Sequence, residues 1–541
     1  MADRKPPLGL HTEIQTAAGD MYRWDGNARD PGNRPQAITS GSKIGEGYGA
    51  SSVTLARQGT RTYPDVDEFS TIRHIGMDGQ IAYEGRIAAS PRSARKVEIQ
   101  AVGWMSHAHD TPFPSLLIID RDLSHWGPQS TARRVALLVA VGSVLNTFDP
   151  VVNPDDAGSQ VLRTAVNGPW GYADAEALYK APPGQRIAKL YYDYVARNHT
   201  PTGANWGVNI EASDNDDMSS SSGSGDIGAA SALGYFTPTT AKRFIHLRHD
   251  YNTTYASTDQ YWIDWRKLTV YGDHGLTLRG ADPGGVLASD VIRYVAGLWC
   301  PLLDTSGIQT SPSIIDNFAI TDKTDAYEVF LKANAYDRYN IAVWENRLLT
   351  YSPMPSETAD PTWIVRSADG NGFDPNWTGP STAASANGVL VRFQNVLTGN
   401  ADYVSPDTDA TLADTRDTIA ANRAGIPRWE AIQLPDPNSP NGAAEIGRAV
   451  LAEFNRPRHP GDITVRGHIR DAAGNWHQGW LPKAGETVLL EDDPDAIPQT
   501  IWDAQWNQDT KTLVMHVDGA AATSDSILGD LLTTRATRTA A

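Results

Sequence analysis

Between positions 79 and 104 the chain reads GQIAYEGRIAASPRSARKVEIQAVGW. Apolar and polar residues alternate on both sides of a short Ser/Pro connection. Ile81, Tyr83 and Ile87 fall out of phase with Gln80, Glu84 and Arg86, and Val97, Ile99 and Ala101 with Lys96, Glu98 and Gln100. A period of two sorts each set onto one face of a strand, so the stretch predicts an antiparallel pair. Asp78-Gly79 ahead of it is a turn signal. The pattern has an echo near the other end, ITVRGHIRDAAGNWHQGW. There Ile463, Val465 and Ile469 alternate with Thr464, Arg466 and His468, and a Gly turn leads to a further strand.

Between these ends the patterning changes twice. From about 126 to 275, aromatic strands (RIAKLYYDYV, WGVNIEA, RFIHLRHDY, YWIDWRKLTVYG) alternate with turn-rich segments such as VNPDDAGSQ and DNDDMSSSSGSGDIG. Ala188, Leu190, Tyr192 and Tyr194 share a face, as do Trp206, Val208 and Ile210. Short strands between long loops predict a β-sandwich. From about 276 to 384, helical spacing appears. Ala288, Val291, Ile292, Val295 and Leu298 line one helix face, and Ala326, Val329, Phe330 and Ala333 another. NIAVWENRLLTYSP then reads as two strands around Glu345-Asn346. From about 385 to 541, strands return around one amphipathic helix, GAAEIGRAVLAEFNRP, with Ala443, Ile446, Val450 and Phe454 on its apolar face and Pro457 as its stop.

Composition narrows the class. A chain of 541 residues is too long for one core, and 34 prolines with 47 glycines favour turn-rich β structure. A net charge of −18 argues against a nucleic-acid binder, which needs basic patches for phosphate. The single cysteine, Cys300, excludes an intramolecular disulfide. MADRKPPLGL has no apolar signal core, and no run reaches the ~20 apolar residues of a membrane helix. Synthesis in a bacterial cytoplasm is the expectation.

Candidate chemistry is sparse. No P-loop, HExxH, GxSxG or dinucleotide fingerprint is present, so no catalytic residue and no cofactor is assigned. SHAHD places His107 and His109 two apart beside Asp110. On a strand they would share a face, but no third metal ligand stands at matched spacing, and a polar loop is the plainer reading. His246 and His249 fall on opposite strand faces and read as solvated. Counting from Asp214 as the first position of a calcium loop puts Ser219 and Gly225 where Gly and Glu are needed, which leaves at most weak calcium binding in 214–228. Pairs such as Asp155-Asp156 and Asp492-Asp493 are ordinary in a chain with 64 acids. The aromatics are better candidates, because flat apolar rings match the C–H face of a sugar. Tyr191, Trp206, Tyr255 and Trp262 are the residues named for carbohydrate contact, against the alternative that they fill the sandwich core.

Several segments together resemble the minor tail and baseplate-hub proteins of long-tailed phages of actinobacteria. The resemblance rests on TVYGDHGLTLRG (Thr269 to Gly280), ASDVIRYV, DAYEVFLKANAYDRYNIAVWENRLLTYSP and PGQRIAKLYYDYVARNHTPTGANWGVNIEASDND. IAYEGRI with VEIQAVGW, and DITVRGHIRDAAGNWHQGWLPKAGETVLLEDD, complete it. It spans roughly residues 45 to 535, through order and spacing across segments. It implies a multidomain, mainly β protein with an α+β part: a first hub-type β-barrel within 1–125, an inserted carbohydrate-binding-like β-sandwich at 126–275, an α+β connecting domain at 276–384 and a second barrel with one helix at 385–541. It further implies a homotrimer at the tail tip of the virion, whose two barrels per subunit make a six-unit ring on the tail tube. Distal tail protein, tape measure protein and other minor tail or fibre proteins are then its partners, with a host-surface glycan for the sandwich. It implies no enzyme. The alternatives are a peptidoglycan or glycoside hydrolase at the tail tip and a stand-alone carbohydrate-binding protein.

Overall fold

The computed structural model describes residues 5–25, 35–56, 70–91, 96–127, 145–167, 171–197, 205–216, 224–226, 231–253, 260–280, 284–321, 324–355, 360–370, 376–377, 388–406, 429–455, 461–492 and 497–517. The alternating runs of the N-terminal part become strands β1 (Leu10–Gln15), β2 (Met21–Trp24), β3 (Pro35–Lys43), β4 (Gly47–Ala56), β5 (Thr71–Gly76), β6 (Ile81–Ala89) and β7 (Lys96–Gly103). They pair in the order β2-β1-β5-β6-β7-β4-β3, each pair antiparallel. The opening stretch is therefore the hairpin β6/β7, as its alternation predicts. Glu84 breaks the simple reading of its polar face: it is fully buried. The turn after Trp344 covers that face and donates the backbone N–H groups of Asn346 and Arg347 to the Glu84 carboxylate, at 3.2 and 3.1 Å. Arg73 completes the set at 2.7 Å.

The sandwich grows out of a strand that belongs to two neighbours. β8 (Leu116–Asp120) is buried throughout. It leads into β9 (Trp126–Gly127), β10 (Leu145–Asn153), β11 (Asp156–Asn167), β12 (Gly171–Lys180), β13 (Ile187–Arg197), β14 (Asn205–Ser213), β15 (Ser224–Asp226), β16 (Ser231–Phe236), β17 (Phe244–Thr253) and β18 (Gln260–Gly272). One sheet runs β10-β11-β18-β13-β16, the other β9-β12-β17-β14-β15. Leu162, Leu190, Tyr194, Ile263 and Trp265 of the first meet Ala177, Tyr179, Val208, Ile210, Ile245 and Leu247 of the second in one core. VNPDDAGSQ, expected as a loop, is instead a tight hairpin between β10 and β11. The Asn153 side chain accepts from the Asp155 N–H at 3.0 Å, a side-chain turn that shortens the connection. His246 and His249 do lie on a strand, but both are fully buried rather than solvated, because β17 is an inner strand with a partner on each side.

Beyond the sandwich come α1 (Ala288–Trp299), β19 (Asp304–Ile308), β20 (Phe318–Ile320), α2 (Ala326–Asn334), β21 (Asn340–Val343), β22 (Leu348–Ser352) and β23 (Trp363–Val365). α1 buries Ala288, Val291, Ile292 and Val295, but its last turn runs past the core and leaves Leu298 exposed. α2 is capped by Asp325, which accepts from the Glu328 N–H at 2.9 Å, and buries Ala326, Val329, Phe330 and Ala333 as spaced. β21 and β22 form the expected hairpin, with Asn346 and Arg347 both left-handed at φ 59° and 61°. β24 (Gly388–Gln394), β25 (Ala401–Val404) and β26 (Trp429–Gln433) form a small sheet under α3 (Pro440–Asn455). Val391, Ile432, Ile446 and Val450 join the core of α1 and α2.

The chain ends in β27 (Gly461–Arg466), β28 (His468–Asp471), β29 (Trp476–Gln478), β30 (Thr487–Leu490), β31 (Gln499–Asn507) and β32 (Thr512–Val517). The echo is real at its turn and absent from its pairing. The hairpins β1/β2, β5/β6 and β28/β29 close with one geometry. The N–H of Thr16, Gly76 and Asp471 reaches the carbonyl four residues on, and the N–H of Gly19, Gly79 and Gly474 donates back to the carbonyls of Thr16, Gly76 and Asp471, all between 2.8 and 3.0 Å. Those glycines have φ of 92°, 86° and 84°, which side chains resist. β27 and β28, however, part company at Gly467: β27 pairs with β32, and β28 with β23 and β29. β31 then pairs with β3, so both ends of the chain enter one strand network. Ile14, Ile72 and Ile99 share a core with Ile463, Val488 and Met515. The resemblance implies closed barrels; among the described residues no sheet closes on itself, and β3 takes β31 as its neighbour and not β1.

Candidate functional site

Several of the buried polar groups are tied up in structural bonds. Asp120 accepts from the Tyr179 hydroxyl and meets His125 Nδ1, both at 2.6 Å. Burial and the nearby Asp120 carboxylate raise the Tyr179 phenol well above its ordinary range. Asp316 holds Arg121 at 3.0 Å and Ser439 at 2.5 Å. The SHAHD segment lies on a short 3₁₀ helix, Trp104–His109, and its histidines part: His107 meets Asp110, whereas His109 meets Asp325, each at 2.9 Å. Asp214, the first position of the calcium-like run, is held by Arg186 at 2.9 Å and Lys242 at 3.1 Å. Residues 217–223 and 227–228 of that run lie outside the described residues. Among the described residues, no group of three or more His, Cys, Asp or Glu side chains is placed to hold a metal ion.

The named aromatics are spread over the sandwich. Tyr191 and Trp262 both belong to the sheet that contains β13 and β18, on its outer face. The alternate residues Leu190, Tyr194, Ile263 and Trp265 fill the core. Trp262 lies opposite Arg197 and Tyr191 opposite Thr269. Trp262 marks the C-terminal end of β13 and Tyr191 its middle, roughly 20 Å apart at the rise of a strand. Tyr191 packs against the neighbouring α1–α2 core. Trp206 sits on β14 in the other sheet, opposite Tyr251, and its side chain lies outside the described ones. Tyr255 lies outside the described residues. The four are therefore not brought into one cluster.

Each end of the outer face has its own polar surround. At the Trp262 end, the Arg163 guanidinium lies 4.8 Å from the indole centroid. Arg163 binds the buried Asp264 through both carboxylate oxygens, at 2.6 and 2.9 Å, and Arg197 adds a third contact at 3.3 Å. Arg197 also pairs closely with Asp155, whose carboxyl it holds below the ordinary range. The Tyr191 end carries residues of other types that the sequence did not single out, Leu233, Lys189, Asp193 and Arg266. Tyr235 and Leu233 on the edge strand β16 are 41% and 70% exposed. Tyr191 meets the Tyr235 ring edge-on at 5.3 Å, and Lys189 Nζ stands 3.3 Å from its centroid. Asp193 faces Leu233 across the pair and holds Arg266 at 2.6 and 3.2 Å. The signal for this end was the alternation in SALGYF, which exposes every second residue of Ser231–Phe236. An exposed ring flanked by a fixed carboxylate–guanidinium pair and an ammonium can stack on a sugar and hydrogen-bond its substituents.

No family model matches the sequence, and no curated protein does. Solved structures with some likeness include a tail protein from Neisseria meningitidis, at 9% identity and a TM-score of 0.41, covering 96% of this chain and 98% of that one. A 43 kDa tail protein of prophage MuSo2 from Shewanella oneidensis gives 9% identity and 0.40, with 95% and 99% covered. A mannan-recognising carbohydrate-binding module gives 11% identity and 0.20, over 29% of this chain and 98% of the module.

Proposed function

We propose that this chain is a structural virion protein, the trimeric hub at the tail tip of a long-tailed phage. In this reading it closes the tail tube, links it to distal tail, tape measure and fibre proteins, and turns its sandwich towards host glycans. It has no catalytic activity of its own. The observation that supports it is the β3–β31 seam, which builds the two ends of the chain into one network around a shared core. A part whose task is to be a rigid ring segment needs such a plate and no deep active-site cleft. Two strand units per subunit give six in a trimer, which reconciles a six-fold tube with a three-fold fibre.

Electron cryo-microscopy of assembled particles tests the proposal. Three copies at the tail tip, with the N-terminal and C-terminal strands alternating around the tube end, are expected. Placement in the capsid or the tail shaft, or six copies at the tip, would sink it. Digestion of cell wall by the purified chain, abolished by changing one carboxylate, would establish the enzyme instead.

A further inference from the structure

We propose that the Tyr235 end of the outer sandwich face binds an anionic glycan, a sugar polymer bearing carboxylate or phosphate groups. The inference rests on the reading of the sandwich as a glycan-contacting module and specifies what it contacts. Register places three rows on this face. Leu233, Asp193 and Lys267 form one, Tyr235, Tyr191 and Thr269 the next, and Lys189 with Tyr271 the third. Thr269 and Tyr271 are buried, so the accessible part of the face is built by Leu233, Tyr235, Lys189, Arg266 and Lys267.

Charge decides the ligand class. Arg266 takes up the one carboxylate of these rows, Asp193. Among the described residues neither Lys189 nor Lys267 has a carboxylate partner. This local surplus of positive charge stands on a chain of net charge −18, so it is not a sample of the average surface. Lys189 Nζ lies over one face of the Tyr235 ring, which leaves the other face for a sugar and the remaining N–H donors of the ammonium for an anionic substituent. Lys267 lies two strands and one row from Tyr235, roughly 12 Å away by strand spacing and rise. A ring stacked on Tyr235 would present one anion to Lys189, and a neighbouring repeat would present the next to Lys267. A neutral glycan would use Tyr235 and gain nothing from either ammonium.

The test uses the full chain and three polymers: polygalacturonate, a glucosylated poly(glycerol phosphate) and neutral dextran. Binding is read by affinity electrophoresis and calorimetry at two salt concentrations. At least one charged polymer should bind, more weakly at high salt. Tyr235→Ala, and Lys189→Gln combined with Lys267→Gln, should each weaken that binding about tenfold or more. Lys96→Gln, on the distant β7, should not. Which charged polymer binds identifies the anion as carboxylate or phosphodiester. The lysine pair keeps the test decisive if Tyr235→Ala lowers the melting temperature. Dextran binding as tightly as the charged polymers, unaffected by the lysine changes, would overturn the proposal and leave the glycan reading standing. Binding of none of the three would overturn both, without touching the hub.

Discussion

Acidification should loosen the N-terminal strands through one side chain, His74. The ring is fully buried on β5, where Thr12 Oγ1 lies 3.1 Å from Nδ1 and Ser51 Oγ 2.9 Å from Nε2. Ser51 donates its own hydroxyl proton to the Thr39 carbonyl at 2.8 Å. It must therefore accept from His74, which sets the neutral tautomer with hydrogen on Nε2 and leaves Nδ1 to accept from Thr12. Burial, and secondarily the nearby His11, push the pKa from 6.5 down to about 3. The group is a base with a depressed pKa, so between those values the unfolded chain binds a proton that the folded chain refuses. Stability is intact above the unfolded value and falls as the pH drops below about 6.5, until the folded value near 3 is reached. Linkage over that window gives a loss of about 2 kcal/mol between pH 7 and pH 5.

A chain of several cores does not unfold in one step, so the readout should be local. Hydrogen exchange of β1, β4 and β5 amides, followed by mass spectrometry at pH 7 and pH 5 and corrected for intrinsic exchange, reports their opening free energy. His74→Gln, which cannot titrate, is the comparison. It should open more easily at pH 7 but lose about 2 kcal/mol less than the parent on acidification. Parallel behaviour of parent and variant would refute both the tautomer assignment and the burial argument.

Other perturbations follow from geometry already described. Glu84→Ala would leave the Arg73 guanidinium and two backbone N–H groups without their acceptor and should cost about 3–5 kcal/mol, read as a lower midpoint in thermal unfolding. Glu84→Gln should cost less, since an amide oxygen still accepts. Gly103→Ala would set a Cβ 1.6 Å from the Tyr48 carbonyl oxygen, forcing the backbone apart at a cost of about 1–3 kcal/mol, measurable by the same melt. The hydrogen bond that His109 donates to the Asp325 carboxylate raises the pKa of this half-exposed ring. Its stabilising contribution is full below the ordinary histidine pKa and fades as pH rises through the raised value. Asp325→Asn should return the ring's NMR titration towards ordinary, with under about 1 kcal/mol at stake.

What the sequence made legible was local. Alternation found β6 and β7, helical spacing found α1 and α2, and glycine turns marked two hairpins, β5/β6 and the one in the echo, while the matching turn at Gly19 went unmarked. What it hid depended on distant chain. Glu84 sits in a polar phase, yet its acceptor role is set by a hairpin more than 250 residues later. His246 and His249 looked solvated because nothing local says that β17 lies between β12 and β14. The echo between the two ends carried the turn but not the pairing, because neighbours on either side of Gly467 take separate partners. At the candidate site, ring type alone drew attention to four aromatics. Leu233 became visible only when register put it opposite Asp193, and Lys189 only through its contact with the Tyr235 ring.

β8 gives the sandwich an attachment unlike a tether. Its residues bond to β18 of the sandwich on one side and to β20 on the other. A pull on a cell-bound sandwich would load those ladders in shear, several bonds at once, instead of unzipping them singly. Torque on the sandwich would likewise pass into the helices packed around β20 before any linker could swivel. If the sandwich holds a surface ligand, tension on it would reach the rest of the chain as a force on packed strands and helices.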